Sequence, residues 1–209
     1  MAVVGAAAVL VVAYRLGFQP WQPRWGATDD EVARVMTGDA EVAHADFLAT
    51  CAIDVRAPPM TVWPGLVQIG SGRAGWYRYD RIDNAGTPSA TRILPEYATR
   101  ILPEYQQRQV DDRIPMITGG DIGPTVKETD PPRRMPWCDD VGEFGWEWLL
   151  EPAAAGGTRL LNRLRVTAHP STGRMTYEAV AAVGDIVMQR RMLRGIKRRA
   201  EQTAASDSS

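Results

Sequence analysis

The chain has 209 residues, 44% of them hydrophobic and 23% charged, the balance of a globular domain able to bury one sizeable core. A formal net charge of −1 offers no positive field to recruit phosphates and argues against a dedicated nucleic-acid binder. Cys51 and Cys138 stand far apart in no metal-like spacing, the histidines are His44 and His169, and no HExxH, GxSxG or GxxxxGK(S/T) occurs. No metal and no cofactor is expected, and a single bridge between the two cysteines is left open.

Residues 1–13 (MAVVGAAAVLVVA) carry no charged side chain, and Tyr14 and Arg15 follow. A bilayer-spanning helix needs about 20 apolar residues, a length approached here if residues 16–18 count and Arg15 snorkels to the headgroups. A signal peptide would want a charged start and a small-residue cleavage site, and a buried soluble helix is the other rival. The expectation is a membrane anchor over residues 1–18. Arg15 and Arg24 on its C-terminal side then place the globular part in the cytoplasm. Phe18, Trp21 and Trp25, interleaved with Pro20 and Pro23, suit an interfacial belt opening a tether over residues 19–48.

Within that tether, Thr28 with Glu31 three residues on forms a capping box, so a short helix is predicted before Gly38. Residues 49–56 (ATCAIDVR) alternate as a half-buried strand does. Pro58 and Pro59 open a helix whose apolar faces come from Val62, Trp63, Leu66, Val67 and Ile69. Residues 70–75 (GSGRAG) make a turn, a weak phosphate cradle because the GxGxxG spacing is absent. Trp76, Tyr77, Tyr79 and Asp80 crowd five residues, either as core aromatics or as a pocket wall with one carboxylate.

Residues 90–97 read ATRILPEY, and residues 98–105 repeat it without a change. Solenoid repeats have longer periods and more copies, so this is no repeat architecture. Pro95 and Pro103 disfavour one helix through both copies. One copy is expected to fill the native position, the second being the better candidate, while the other bulges to solvent.

Short strands are expected near residues 109–117 and 125–129, and a strand with Trp146 and Trp148 on one face over residues 144–151. The next strand, residues 157–168, places Thr158, Leu160, Asn162, Leu164 and Val166 on one face and Arg159, Leu161, Arg163 and Arg165 on the other. An arginine-lined face on a central strand is either solvated or holding an anionic group. A long helix over residues 176–202 is expected to pack by Tyr177, Val180, Val183, Gly184 and Val187, and to turn basic where RRMLRGIKRR fills residues 190–199. That cluster suits a helix C-terminus and, alternatively, an anionic leaflet. Residues 203–209 read as a disordered tail. Strands gathered together and closed by a helix give an α+β fold: an antiparallel sheet wrapped around the long C-terminal helix, plus the N-terminal hydrophobic helix.

This order, with residues 53–80, RILPEYQ (100–106), WEWLLEP (146–152), GTRLLNRLR (157–165) and the final helix, resembles the SRPBCC superfamily, the START-like or Bet v 1-like helix-grip proteins. The branch it looks most like is the actinobacterial polyketide cyclase/dehydrase-like one, where a membrane helix often precedes the domain. The resemblance covers nearly the whole chain, including PWQPRWGATDDEVAR (20–34), and places the domain at residues 49–202. It departs at DPPRRMPWCDD (130–140), where Pro136 and two acids stand in place of a hydrophobic strand. It implies a cavity between sheet and C-terminal helix that takes a hydrophobic small molecule or lipid. Trp76, Tyr77, Tyr79, Trp146 and Trp148 would wall it; Asp80, Glu104, Arg163 and Arg165 would orient a polar head. The leading expectation is a membrane-tethered ligand-binding module. Its alternatives are a cyclase/aromatase- or hydrolase-like enzyme using Asp80, Glu96 or Glu104, and a protein-interaction adaptor with a vestigial cavity.

Overall fold

A computed structural model describes residues 24–76, 101–116, 121–167 and 174–207, with side chains from 188 onward in the last range. The predicted anchor, Tyr77, Tyr79, Asp80, Glu96 and the first octapeptide copy lie outside the described residues. Among those described, no helix is long and apolar enough to cross a membrane.

Five strands form one antiparallel sheet: β1 (Phe47–Val55), β2 (Thr125–Val126), β3 (Arg134–Cys138), β4 (Phe144–Pro152) and β5 (Thr158–Val166). Their order is β1-β5-β4-β3-β2, so the first strand lies beside the last. Helix α1 (Asp29–Ala33) precedes the sheet, α2 (Pro59–Val67) follows β1, and α3 (Arg174–Asp207) follows β5. The strand at the DPPRRMPWCDD departure forms despite Pro136, which still accepts the Lys127 N–H through its carbonyl at 2.9 Å.

Side chains alternate across the sheet, and registry carries the alternation from strand to strand. On the inner face Ala49, Leu164, Trp146 and Trp137 form one row, and Cys51, Asn162, Trp148 and Met135 the next. Val62, Trp63, Leu66 and Val67 of α2 and Met192, Leu193, Ile196 and Ala200 of α3 close over that face as the main core. In the second half of α3 the packing stripe is therefore Met188, Met192, Leu193, Ile196 and Ala200, with Arg191, Arg194 and Arg198 exposed beside it. That half packs as well as carrying charge, contrary to the expected division of the helix. The helix also continues to Asp207 rather than stopping at 202; Thr203 and Ser206 hydroxyls donate to the Arg199 and Gln202 carbonyls at 3.1 and 2.7 Å.

The outer face is covered by residues 24–46, which are not a free tether. Met36 packs with Ala52, Leu149 and Leu161 in a second small core. The Trp25 carbonyl accepts the Ala52 N–H at 3.0 Å, blunting the free edge of β1. Gly26 permits that approach: at φ +71° a Cβ would stand 2.2 Å from the Ala52 carbonyl oxygen. The expected capping box on α1 is present, with Glu31 N–H donating to Thr28 Oγ1 at 3.2 Å and Thr28 N–H to Glu31 Oε2 at 2.7 Å.

The cysteines are both free and buried, Cys51 on the inner face and Cys138 on the outer. Burial and the neighbouring Asp139 carboxylate push the Cys138 thiol up to about 11, leaving it unreactive at neutral pH.

Candidate functional site

Four tryptophans gather on the inner face. Trp76 stacks on Trp146 with ring centres 5.7 Å apart and planes within 6°. Trp137 meets Trp146 and Trp148 edge-on at 5.7 and 6.0 Å, and Trp146 and Trp148 lie 5.5 Å apart. Trp148 faces Asn162 directly across the β4–β5 pair. β-Sheet alternation thus brings the predicted wall residues Trp146 and Trp148 together with Trp137 and Asn162, and Trp76, beyond the Gly70–Gly75 turn, stacks on Trp146.

The polar atoms of this patch are incompletely paired. Trp137 Nε1, Trp148 Nε1 and Asn162 Oδ1 are buried and have no hydrogen-bond partner among the described residues. The Asn162 amide Nδ2 only grazes the Glu147 carbonyl at 3.4 Å. Each unmade buried hydrogen bond costs about 1–3 kcal/mol, so two donors and one acceptor in an apolar wall represent a standing demand for a polar partner. Among the described inner-face residues of the sheet there is no Asp, Glu or His.

Arg163 and Arg165 lie on the opposite face, and the expectation that they orient a ligand head inside the grip is corrected by that placement. The two are one and three residues from Asn162, an odd offset that a strand turns into the other side of the sheet. Arg163, at 2% exposure, spends its five donors locally. Nε donates to Thr50 Oγ1 at 3.0 Å. NH1 donates to the Arg34 carbonyl at 2.6 Å and Asp39 Oδ2 at 2.8 Å, and NH2 to the Glu31 and Val32 carbonyls at 2.7 and 3.0 Å. Arg165 Nε donates to the Val42 carbonyl at 2.8 Å. Arg159 pairs with Glu31 at 2.7 Å and reaches the Gly26 carbonyl at 2.7 Å. The anionic group that the arginine face holds is the chain's own N-terminal strap.

Electrostatics on this face run in two directions. The Arg159 guanidinium holds the Glu31 carboxyl down at about 2. Burial pushes Glu147 up, partly offset by the Gly38 N–H that donates to it at 2.8 Å. Glu147, the buried carboxylate of β4, therefore belongs to the strap and not to the grip.

Glu104 is also corrected. It is exposed to solvent on the 3-10 turn Pro103–Tyr105 rather than turned into the grip's core. The useful residues of the second octapeptide copy are its neighbours: Leu102 is buried, its N–H donates to Gln68 Oε1 at 3.0 Å, and the Gln106 amide donates to the Pro64 carbonyl at 3.3 Å. Residues 101–105 thus dock on the C-terminal end of α2. The GSGRAG turn is no phosphate cradle, because the Gly70, Arg73, Ala74 and Gly75 amides bond within or just before the turn and Ser71 N–H goes to the Pro115 carbonyl.

The first strand beside the last, with the helix after the last strand closing over the inner face, decides the architecture. It is a helix grip, an antiparallel sheet closed by the C-terminal helix. No family model and no curated protein matches the chain. Solved structures similar to this grip include a protein from Staphylococcus saprophyticus, 11% identical, covering 72% of this chain and 89% of its own, with a TM-score of 0.45. A Polyketide_cyc-like protein from Corynebacterium glutamicum is 17% identical over 72% of this chain and 89% of its own, at 0.36. A protein from Nitrosomonas europaea is 14% identical over 78% and 99%, at 0.42.

Of the polar residues missed by sequence reasoning, Asn162 carried a usable signal. It is the one amide in the apolar register Leu160, Leu164, Val166 of β5. Trp137 carried less, because Pro136 beside it disguised the strand.

Proposed function

We propose that the protein binds an apolar small molecule bearing at least one oxygen on the inner face of the grip. The observation that supports this most is the unpaired set Trp137 Nε1, Trp148 Nε1 and Asn162 Oδ1 within a tryptophan wall. A ligand hydroxyl can accept from an indole N–H and donate to the amide oxygen, and a carbonyl can accept from the indoles. The rings supply rigid apolar area at little entropic cost.

Tethering to a membrane belongs to the same proposal. Arg190 and Arg194 stand over the Trp25 ring at 5.1 and 5.4 Å, so the chain enters the described fold beside the basic end of α3. An open groove there is lined by Arg194, Lys197, Arg198 and Glu201. An apolar N-terminal run in a bilayer would bring this face to the leaflet, with the grip held in the cytoplasm and close to an apolar ligand pool.

The test is titration with the neutral lipophilic dye N-phenyl-1-naphthylamine, read by dye and tryptophan emission. Saturable binding is expected, and Asn162→Leu should weaken it about tenfold or more. The same variant should unfold no more easily than the wild type, since it removes an unsatisfied buried oxygen in a side chain of similar size. Equal binding by both proteins would sink the reading.

A further inference from the structure

Two arginines are set into the protein near the end of α2, and neither has a carboxylate partner among the described residues. Arg108 is 7% exposed. Its Nε and NH2 donate to the Val67 carbonyl at 3.3 and 2.9 Å, NH2 also to Ile69 at 3.0 Å, and NH1 reaches Arg113 at 3.5 Å. Arg73 lies over the Tyr105 ring at 4.3 Å and donates NH2 to the Tyr105 carbonyl at 3.0 Å. Its Nε is buried with no hydrogen-bond partner.

Those carbonyls satisfy hydrogen bonds and the negative end of the α2 dipole, but they do not cancel two charges. Asp112 bears weakly on both guanidiniums, yet it accepts the Gln109 N–H at 2.8 Å and forms no ion pair with either. Burial, and for Arg108 the nearness of Arg73, pulls both below the usual arginine range, Arg108 to about 10. The contrast lies within the same chain. The arginines of β5 are matched to acids, Arg159 to Glu31 at 2.7 Å and Arg163 to Asp39 at 2.8 Å. A protein that pairs its cations on one side of the sheet leaves this pair open on purpose or at a cost.

We infer that Arg73 and Arg108 form a binding site for a small oxyanion, a phosphate or a carboxylate, which supplies the missing negative charge. The guanidinium fork suits either group, and Arg73 Nε is a donor that no described residue uses. The turn amides are already spent, so the side chains alone provide the contacts. This site does not depend on the inner-face reading and stands or falls separately.

Isothermal titration and thermal unfolding of the full chain test it, with inorganic phosphate, acetate and chloride compared at one ionic strength. Saturable binding and a raised midpoint are expected with phosphate or with acetate, the arm that responds naming the class. Arg73→Gln should abolish the response while being at least as stable as wild type in chloride, because it relieves repulsion. Arg73→Lys, which keeps the charge and loses the fork, should weaken binding by about tenfold. The inference is overturned if neither anion saturates, or if wild type and Arg73→Gln respond alike, as a general salt effect would make them. It is overturned equally if Arg73→Gln is less stable than wild type by the same margin in every salt, the mark of a purely structural arginine.

Discussion

Arg163 reaches its five donors' worth of partners only because residues 31–39 fold back over β5. Truncating it leaves Asp39, largely buried beside Glu147, with only the longer 3.5 Å ion pair to Arg165 among the described residues. Breaking such a buried pair from one side costs about 3–5 kcal/mol, and that loss is expected for Arg163→Met in denaturant unfolding. Adding Asp39→Asn to it should recover part of the loss, since the stranded charge then disappears. Glu31 gives the strap its acid sensitivity. Its folded-state value, about 2, lies below its ordinary 4.5, so its contribution is complete above 4.5 and is lost as pH falls towards 2. The difference corresponds to about 3 kcal/mol, and Glu31→Gln should flatten that part of the stability curve in acid titrations. Glu147 opposes it: a raised carboxyl costs stability at neutral pH, and the cost is relieved as pH falls through its raised value. A stability curve for Glu31→Gln as steep as the wild type's below pH 4.5 would show that the Arg159–Glu31 pair is not the strap's acid-labile contact.

At the scale of elements, β5 shows what a sequence can and cannot disclose. The alternation of Leu160, Asn162 and Leu164 against Arg159, Arg163 and Arg165 is plain from spacing, and the strand forms as read. Which side the arginines serve is not plain. That depends on a segment more than a hundred positions away, whose carbonyls and two acids become visible as partners only when the chain folds back. The same distance effect made residues 24–46 read as a tether, since prolines, tryptophans and a single capped turn look like a spacer. Capping is local, and Thr28 with Glu31 was legible for that reason. In α3 the arginines were legible, but the stripe Met188, Met192 and Ile196 that packs beside them was eclipsed by the density of charge.

Across the whole molecule, the antiparallel sheet and the closing helix follow from the pattern of elements, and the α+β grip is the outcome expected. The strand order emerges only from the pairing, and the described residues of 109–117 form no strand. The candidate site was half legible: the sequence pointed to the aromatics Trp76, Trp146 and Trp148 that the fold brings together, whereas the polar demand arises from register and from hydrogen bonds not made. The doubled octapeptide is neutral in this account, because residues 101–105 already dock on α2. Deleting residues 90–97 should change stability by about 1 kcal/mol or less, the scale of a loop-length change, as measured by chemical unfolding. The central claim is that the grip holds an oxygen-bearing apolar molecule against Asn162 and the tryptophans. Native mass spectrometry of the protein, purified in mild detergent from the expressing cells, tests this most directly. The wild type should carry a small apolar molecule that the Asn162→Leu protein lacks. A wild type that flies empty, or a variant carrying the same molecule at the same occupancy, would contradict it.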